Sequence, residues 1–99
     1  MDNRYYLGTL EIELHLPQAH SLKEKRRVLR RLKDRLPARF KVAIAEIGYQ
    51  DKWQRACLVV AAVSSDYQQV NEILNNVRRA VEMDIIGEAV LLRAELDIR

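Results

Sequence analysis

His20-Ser21-Leu22-Lys23-Glu24-Lys25-Arg26-Arg27-Val28-Leu29-Arg30-Arg31-Leu32-Lys33-Asp34-Arg35-Leu36 reads as one amphipathic helix set between two segments of alternating polarity. Ser21 is a good N-cap, and Glu24 three residues on completes a capping box, in which hydroxyl and carboxylate satisfy backbone donors that a helix start leaves unpaired. Leu22, Val28, Leu29, Leu32 and Leu36 form an apolar stripe at 3.6-residue spacing, and Pro37 is expected to push Leu36 out of the helical region and end the helix. Before it, Tyr6, Leu10, Ile12, Leu14 and Leu16 alternate with Thr9, Glu11, Glu13 and His15, the period of a strand with one buried face, which Pro17 ends. Gly8 is expected to mark a bulge there. After the helix, residues 41–47 alternate again as a second strand.

Further out, residues 48–54 are polar and turn-like, and residues 55–64 are apolar on both faces, as in a central strand. Ser65 or Asp66, with Gln68 or Gln69 three residues later, caps a second helix with Val70, Ile73, Leu74, Val77 and Val81 on one stripe and Gly87 to terminate it. Residues 88–98 form the last strand, with Val90, Leu92, Ala94, Leu96 and Ile98 assigned to the core. The order is β-α-β-β-α-β, an α+β chain of the ferredoxin-like kind: a four-stranded antiparallel sheet in the order 4-1-3-2 with both helices on one face. Residues 1–99 suffice for a single domain. In this topology the end of strand one, the start of the basic helix and the hairpin between strands two and three share an edge. The sheet face opposite the helices would show Leu7, Val59, Val63 and Leu91 among Glu11, Glu13, His15, Arg93, Glu95 and Asp97. A half-apolar open face of this kind is expected to pair with a second copy, with Val59, Val63 and Leu91 at the interface.

The overall charge of +3 conceals an asymmetry, because residues 21–41 hold 10 basic and 2 acidic side chains, a net of +8, and the remainder carries −5. Lys23, Arg27, Arg31 and Arg35 form an i,i+4 row on that helix, with Arg26 and Arg30 alongside. Each like-charge pair at this spacing costs an isolated helix roughly 0.2–0.5 kcal/mol, so an anionic partner would explain the pattern. A rise of about 1.5 Å per residue sets neighbours about 6 Å apart, a spacing that can follow phosphates along a nucleic-acid backbone. The alternative is a solvated face, or one that meets acids of a neighbouring subunit. Twelve of the 17 basic residues are Arg, the side chain suited to bidentate phosphate contact.

Lys25 falls inside the apolar stripe and needs a partner. Glu46, in phase with Val42 and Ile44 on the core side of strand two, is the expected one, in a structural ion pair that fixes where the helix docks. The hairpin Tyr49-Gln50-Asp51-Lys52-Trp53-Gln54-Arg55 holds the single Trp, which either folds back onto the first helical turn or serves recognition, while Asp51 is placed to pair with Lys23 or Arg26. Glu11 and Glu13 could form an acid/base pair, but Arg93 offers them a plain structural partner. Cys57, the single cysteine, cannot form an intrachain disulfide and has no activating base, so it reads as a packing residue in a reducing compartment. No metal, cofactor, membrane span or catalytic residue is expected, since His15 and His20 share no helix turn with a second ligand and the longest apolar run, residues 56–63, is short.

Acylphosphatases have this topology, but their glycine-rich anion loop with its arginine does not appear. RNA-recognition domains stack bases on aromatics of strands one and three, and strand three here has none. Two stretches go beyond topology: His20-Ser21-Leu22-Lys23-Glu24-Lys25-Arg26, and Ala45-Glu46 with Asp51, Trp53-Gln54-Arg55-Ala56, Val63-Ser64 and Asp66. With the leading Leu10-Glu11-Ile12-Glu13-Leu14, this resembles the YlxP-like family, the bacterial domain of unknown function 503, over nearly the whole chain. The departures are a short connection over residues 83–87 and extra polar residues 2–5. The resemblance implies a ferredoxin-like fold, a cytoplasmic protein and no established activity. Its signature carries over to Ser21, Leu22, Lys23, Glu24, Lys25, Arg26, Glu46, Asp51, Trp53 and Arg55. Genes of such proteins often adjoin factors for translation initiation and ribosome maturation. The expected function is a non-enzymatic association with ribosomal or other RNA through Lys23, Arg26, Arg27, Arg30, Arg31 and Arg35. The alternative is a homodimeric regulatory or scaffold module that binds a small anion or a protein.

Overall fold

The structure, a computed structural model, describes residues 3–99; of the extra polar residues at the start, residue 2 lies outside them. The elements are β1 (Tyr6–His15), α1 (Leu22–Arg39), β2 (Ala43–Gly48), β3 (Arg55–Ser64), α2 (Tyr67–Asp84) and β4 (Val90–Ile98). All strand pairs are antiparallel in one sheet ordered β2-β3-β1-β4, the ferredoxin-like arrangement expected from the sequence. Leu10, Ile12 and Leu14 of β1, with Ala56, Leu58, Val60 and Ala62 of β3, face the helices and pack against Val28, Leu29, Leu32 and Leu36 of α1 and Val70, Leu74, Val77 and Val81 of α2.

Gly8 is not a bulge. It pairs in register with Ala62 and Ile98, and a Cβ there would overlap Val70 and lie 2.7 Å from Leu74 Cδ1, so the missing side chain lets α2 approach β1 closely. The irregularities lie elsewhere. Glu13 pairs with Arg93 but Leu14 pairs with Leu91, which leaves Leu92 as an extra residue on β4. That extra residue reverses the phase of the start of β4: Leu91, expected on the open face, packs against the core, while Val90 and Leu92, expected in the core, are exposed. A second slip leaves Ile47 as an extra residue on β2, between the Glu46–Leu58 pair and the Gly48–Cys57 pair.

Ser21 caps α1, its Oγ accepting from the Glu24 amide at 3.1 Å, while Glu24 Oε2 accepts from the His20 amide at 2.6 Å, one residue before the donor a capping box would use. The helix does not stop at Pro37. It runs to Arg39, and the Phe40 amide still donates to Leu36 O at 2.8 Å. The restriction before a proline is a bias, and the buried Leu36 side chain, packed in the core, holds its backbone helical against it. Asp66 caps α2, accepting from the Gln68 amide at 3.0 Å, and Gly87, with φ +83, turns the chain into β4.

Candidate nucleic-acid interface

The start of α1 and the β2–β3 hairpin meet at one end of the molecule, joined by a buried cation. Lys25 is 1% exposed, at the centre of the stripe that packs α1 onto the sheet. Its Nζ donates to Tyr49 O at 2.6 Å and to Lys52 O at 2.9 Å, and stands 3.1 Å from Glu46 Oε2. Glu46 Oε2 is buried without a hydrogen bond, so Glu46 balances the charge while the hydrogen bonds of the ammonium go to the hairpin backbone. Both are required, because taking an ammonium out of water costs several kcal/mol unless its donors and its charge are met.

The hairpin is held from its other side by Gln54, whose Nε2 donates to Pro17 O and Ala19 O, each at 3.2 Å, while its own carbonyl accepts from the Leu16 amide at 2.9 Å. Gln54 stands out in the sequence only as part of the stretch Trp53-Gln54-Arg55-Ala56, and a glutamine in a polar loop gives no signal of its contacts. Between these clamps Tyr49 adopts a left-handed backbone, φ 58. Trp53 is 52% exposed and borders a concavity with Tyr49, Lys52, Gln54 and Arg55. Asp51 makes no ion pair with Lys23 or Arg26 among the described residues, because the lysine inside the helix stripe, and not the acid in the loop, ties the two elements. Arg55 lays its guanidinium 4.9 Å from the centre of the Tyr49 ring and forms an ion pair with Glu13.

The basic row divides into two halves. Successive members four residues apart advance about 400°, so the row winds by about 40° per step around the helix. Lys23, Arg26, Arg27 and Arg30 are exposed and make no ion pair among the described residues; Asp34 is exposed nearby. By Arg31 the row has turned towards α2. Arg31 Nε donates to Asp84 Oδ1 at 2.7 Å and its Nη2 to Glu88 Oε1 at 2.5 Å, and Arg35 Nη1 donates to Asp84 Oδ2 at 2.9 Å. The Glu88 hydrogen bond leads in raising the Arg31 pKa. Burial alone would push the Asp84 carboxyl up, but the two guanidinium groups outweigh it and hold the carboxyl below its ordinary value. Arg31 and Arg35, expected among the nucleic-acid contacts, are therefore cross-links between α1 and the end of α2.

The open sheet face is also divided. On the β1–β4 half Arg93 stands 3.8 Å from both Glu11 and Glu13 and 2.5 Å from Glu95, which makes these carboxylates members of an ion network. On the β2–β3 half Ala43 faces Ala61, Ala45 faces Val59, and Val63 faces Leu7 across the β1–β3 pair, an apolar strip with Val63 63% exposed. Cys57 lies beneath Gly48, and burial pushes its thiol pKa up, which keeps it protonated and unreactive. Among the described residues no group of three or more His, Cys, Asp or Glu converges as a metal site, and no helix is long and apolar enough to cross a membrane.

Residues 7–95 match a family described as a protein of unknown function (DUF503). The chain belongs to this family. It is 42% identical over 89 residues to the uncharacterized protein YlxP of Bacillus subtilis (strain 168), a match covering 90% of this chain and 97% of that protein. Similar solved structures include a C-terminal segment of the alpha subunit of aIF2 from Pyrococcus abyssi, with TM-score 0.58 and 21% identity over 96% of this chain; the chain spans about half, 53%, of that segment. Another is SnoaB, a cofactor-independent oxygenase from Streptomyces nogalater, with TM-score 0.53 and 14% identity over 94% of this chain and 90% of that one. At these identities the likeness is one of fold. The DUF503 match includes the whole of α1 and the hairpin, and so covers Lys25, Glu46 and Trp53.

Proposed function

We propose that this DUF503 protein is a non-enzymatic RNA-binding protein that grips the phosphate backbone with Lys23, Arg26, Arg27 and Arg30, and that ribosomal RNA is its target. The observation that carries this reading is the concentration of four exposed cations, none in an ion pair among the described residues, on one half of one helix, while Arg31 and Arg35 on the other half are met by acids. Arg31 and Arg35 are answered by Asp84 and Glu88 within the fold; among Lys23, Arg26, Arg27 and Arg30 the repulsion is left for an outside anion to relieve.

The test is RNA binding as a function of salt. Log affinity should fall linearly with log salt, and Arg27→Gln with Arg30→Gln should flatten the slope by about 0.7–0.9 for each phosphate no longer met, alike for many sequences because phosphate contacts do not read bases. The wild-type protein should sediment with ribosomal particles at low salt and leave them at high salt. A slope unchanged by both substitutions would remove the reading. A second reading is favoured by the apolar strip of β2 and β3: we propose that the chain also pairs with a second copy through this face, whether as part of the RNA function or as a scaffold.

A further inference from the structure

We infer that the β2–β3 hairpin is a base-stacking platform and that the RNA bound is single-stranded; this rests on the phosphate-binding reading of α1. Trp53, the one Trp of the chain, is 52% exposed, and Tyr49, four residues before it, is 42% exposed. Both rings, with Lys52, Gln54 and Arg55, line one shallow concavity of about 350 Å³. Two half-exposed aromatic rings contribute little to the fold, yet the hairpin that carries them is held rigidly: Lys25 grips the carbonyls of Tyr49 and Lys52, and Gln54 reaches back to Pro17 and Ala19. The Arg55 guanidinium at 4.9 Å fixes the Tyr49 ring and adds a flat cation of the kind on which bases also stack.

The platform lies at the end of the molecule where α1 begins, and the Arg55–Glu13 pair turns its Tyr49 side towards the open sheet face. Lys25 holds the hairpin against the opening turns of α1, and Lys23 and Arg26 flank Lys25 in that same stretch. A strand whose phosphates run along α1 and that continues past this end of the molecule would lay a base on Trp53 or Tyr49. Stacking on aromatic side chains is the sequence-tolerant mode of binding for unpaired bases, combined as here with a basic track for the backbone. A duplex keeps its bases stacked on one another and offers none to the platform. The aromatics of strands one and three used by RNA-recognition domains are missing here, and the hairpin supplies the rings from a different place in the same topology.

The experiment uses the full chain and the fluorescence of Trp53, titrated with a single strand of about 12 nucleotides of mixed sequence and with a blunt-ended duplex of equal charge. The expected result is quenching by the single strand and little by the duplex. Trp53→Leu should weaken single-strand binding roughly ten-fold, leave duplex binding and the salt slope unchanged, and be largely rescued by Trp53→Phe. If Trp53→Leu binds the single strand like the wild type while the Arg27 and Arg30 substitutions still weaken it, the platform is overturned and the phosphate-binding reading stands. Failure of the wild type to bind any RNA at low salt overturns both, and leaves the hairpin to a protein partner. Since Trp53 is exposed, unchanged melting temperatures should accompany both substitutions.

Discussion

Arg31→Gln removes the hydrogen bonds that tie α1 to Asp84 and Glu88, and leaves a mostly buried carboxylate with only Arg35 to answer it. Hydrogen bonds to charged groups are worth about 1.5–3 kcal/mol each, and Arg31 is 24% exposed, so a drop of about 1–2 kcal/mol in chemical denaturation is expected, with RNA affinity unchanged. The effect should depend on pH in a definite direction. Asp84 has its pKa lowered from 3.8 in the folded chain, so its contribution is complete above that value and disappears as pH falls through the depressed one. Wild type and Arg31→Gln should differ fully at neutral pH and converge in strong acid; an equal difference at both ends would mean that Asp84 is not the partner that matters. In the sequence Arg31 is indistinguishable from Arg27. The winding of the row is legible there, but Asp84 and Glu88 lie more than fifty positions away, and only the crossing of α1 and α2 reveals which arginines they meet.

Among the elements, the hairpin and α1 behave as one unit because of Lys25. Lys25→Met would leave Glu46 and two loop carbonyls without their cation, and removing one member of a buried pair costs about 3–5 kcal/mol. Hydrogen exchange at residues 49–54 should accelerate with it, since the loop loses its attachment to the helix. A Lys25→Met chain as stable and as well protected as the wild type would show that the cation only selects the docking position. The sequence exposes this much: Lys25 interrupts an apolar stripe, and Glu46 is in phase to meet it. It conceals the carbonyls, because a backbone oxygen has no residue code. Similar limits explain the other departures. Alternation places every strand, but period-two phase survives only until a bulge, so the start of β4 reads onto the wrong face once Leu92 intervenes. Pro37 and Gly8 are residues whose local preferences are plain; the packing of Leu36 and of α2 decides how they are used.

For the molecule as a whole, the apolar strip of β2 and β3 decides whether it acts singly. Val59 sits at the middle of the strip, opposite Ala45 on one side and Glu11 on the other, and Val59→Lys would place a charge where a second copy is proposed to pack. Sedimentation equilibrium should show the wild type associating at high micromolar concentration and Val59→Lys as a monomer with nearly unchanged melting temperature. A monomeric wild type would remove the second copy without touching the basic helix. The sheet has two faces, and the helices occupy one of them alone. Two chains joined through their bare faces would therefore turn their α1 helices outward in opposite directions, so the pair becomes a spacer with a grip at each end. Such a pair cannot close both grips on one short strand. It would hold two separate segments, or the ends of one long looped segment, at a set distance, and its affinity for a looped target would exceed that of a single grip by the effective concentration of the second.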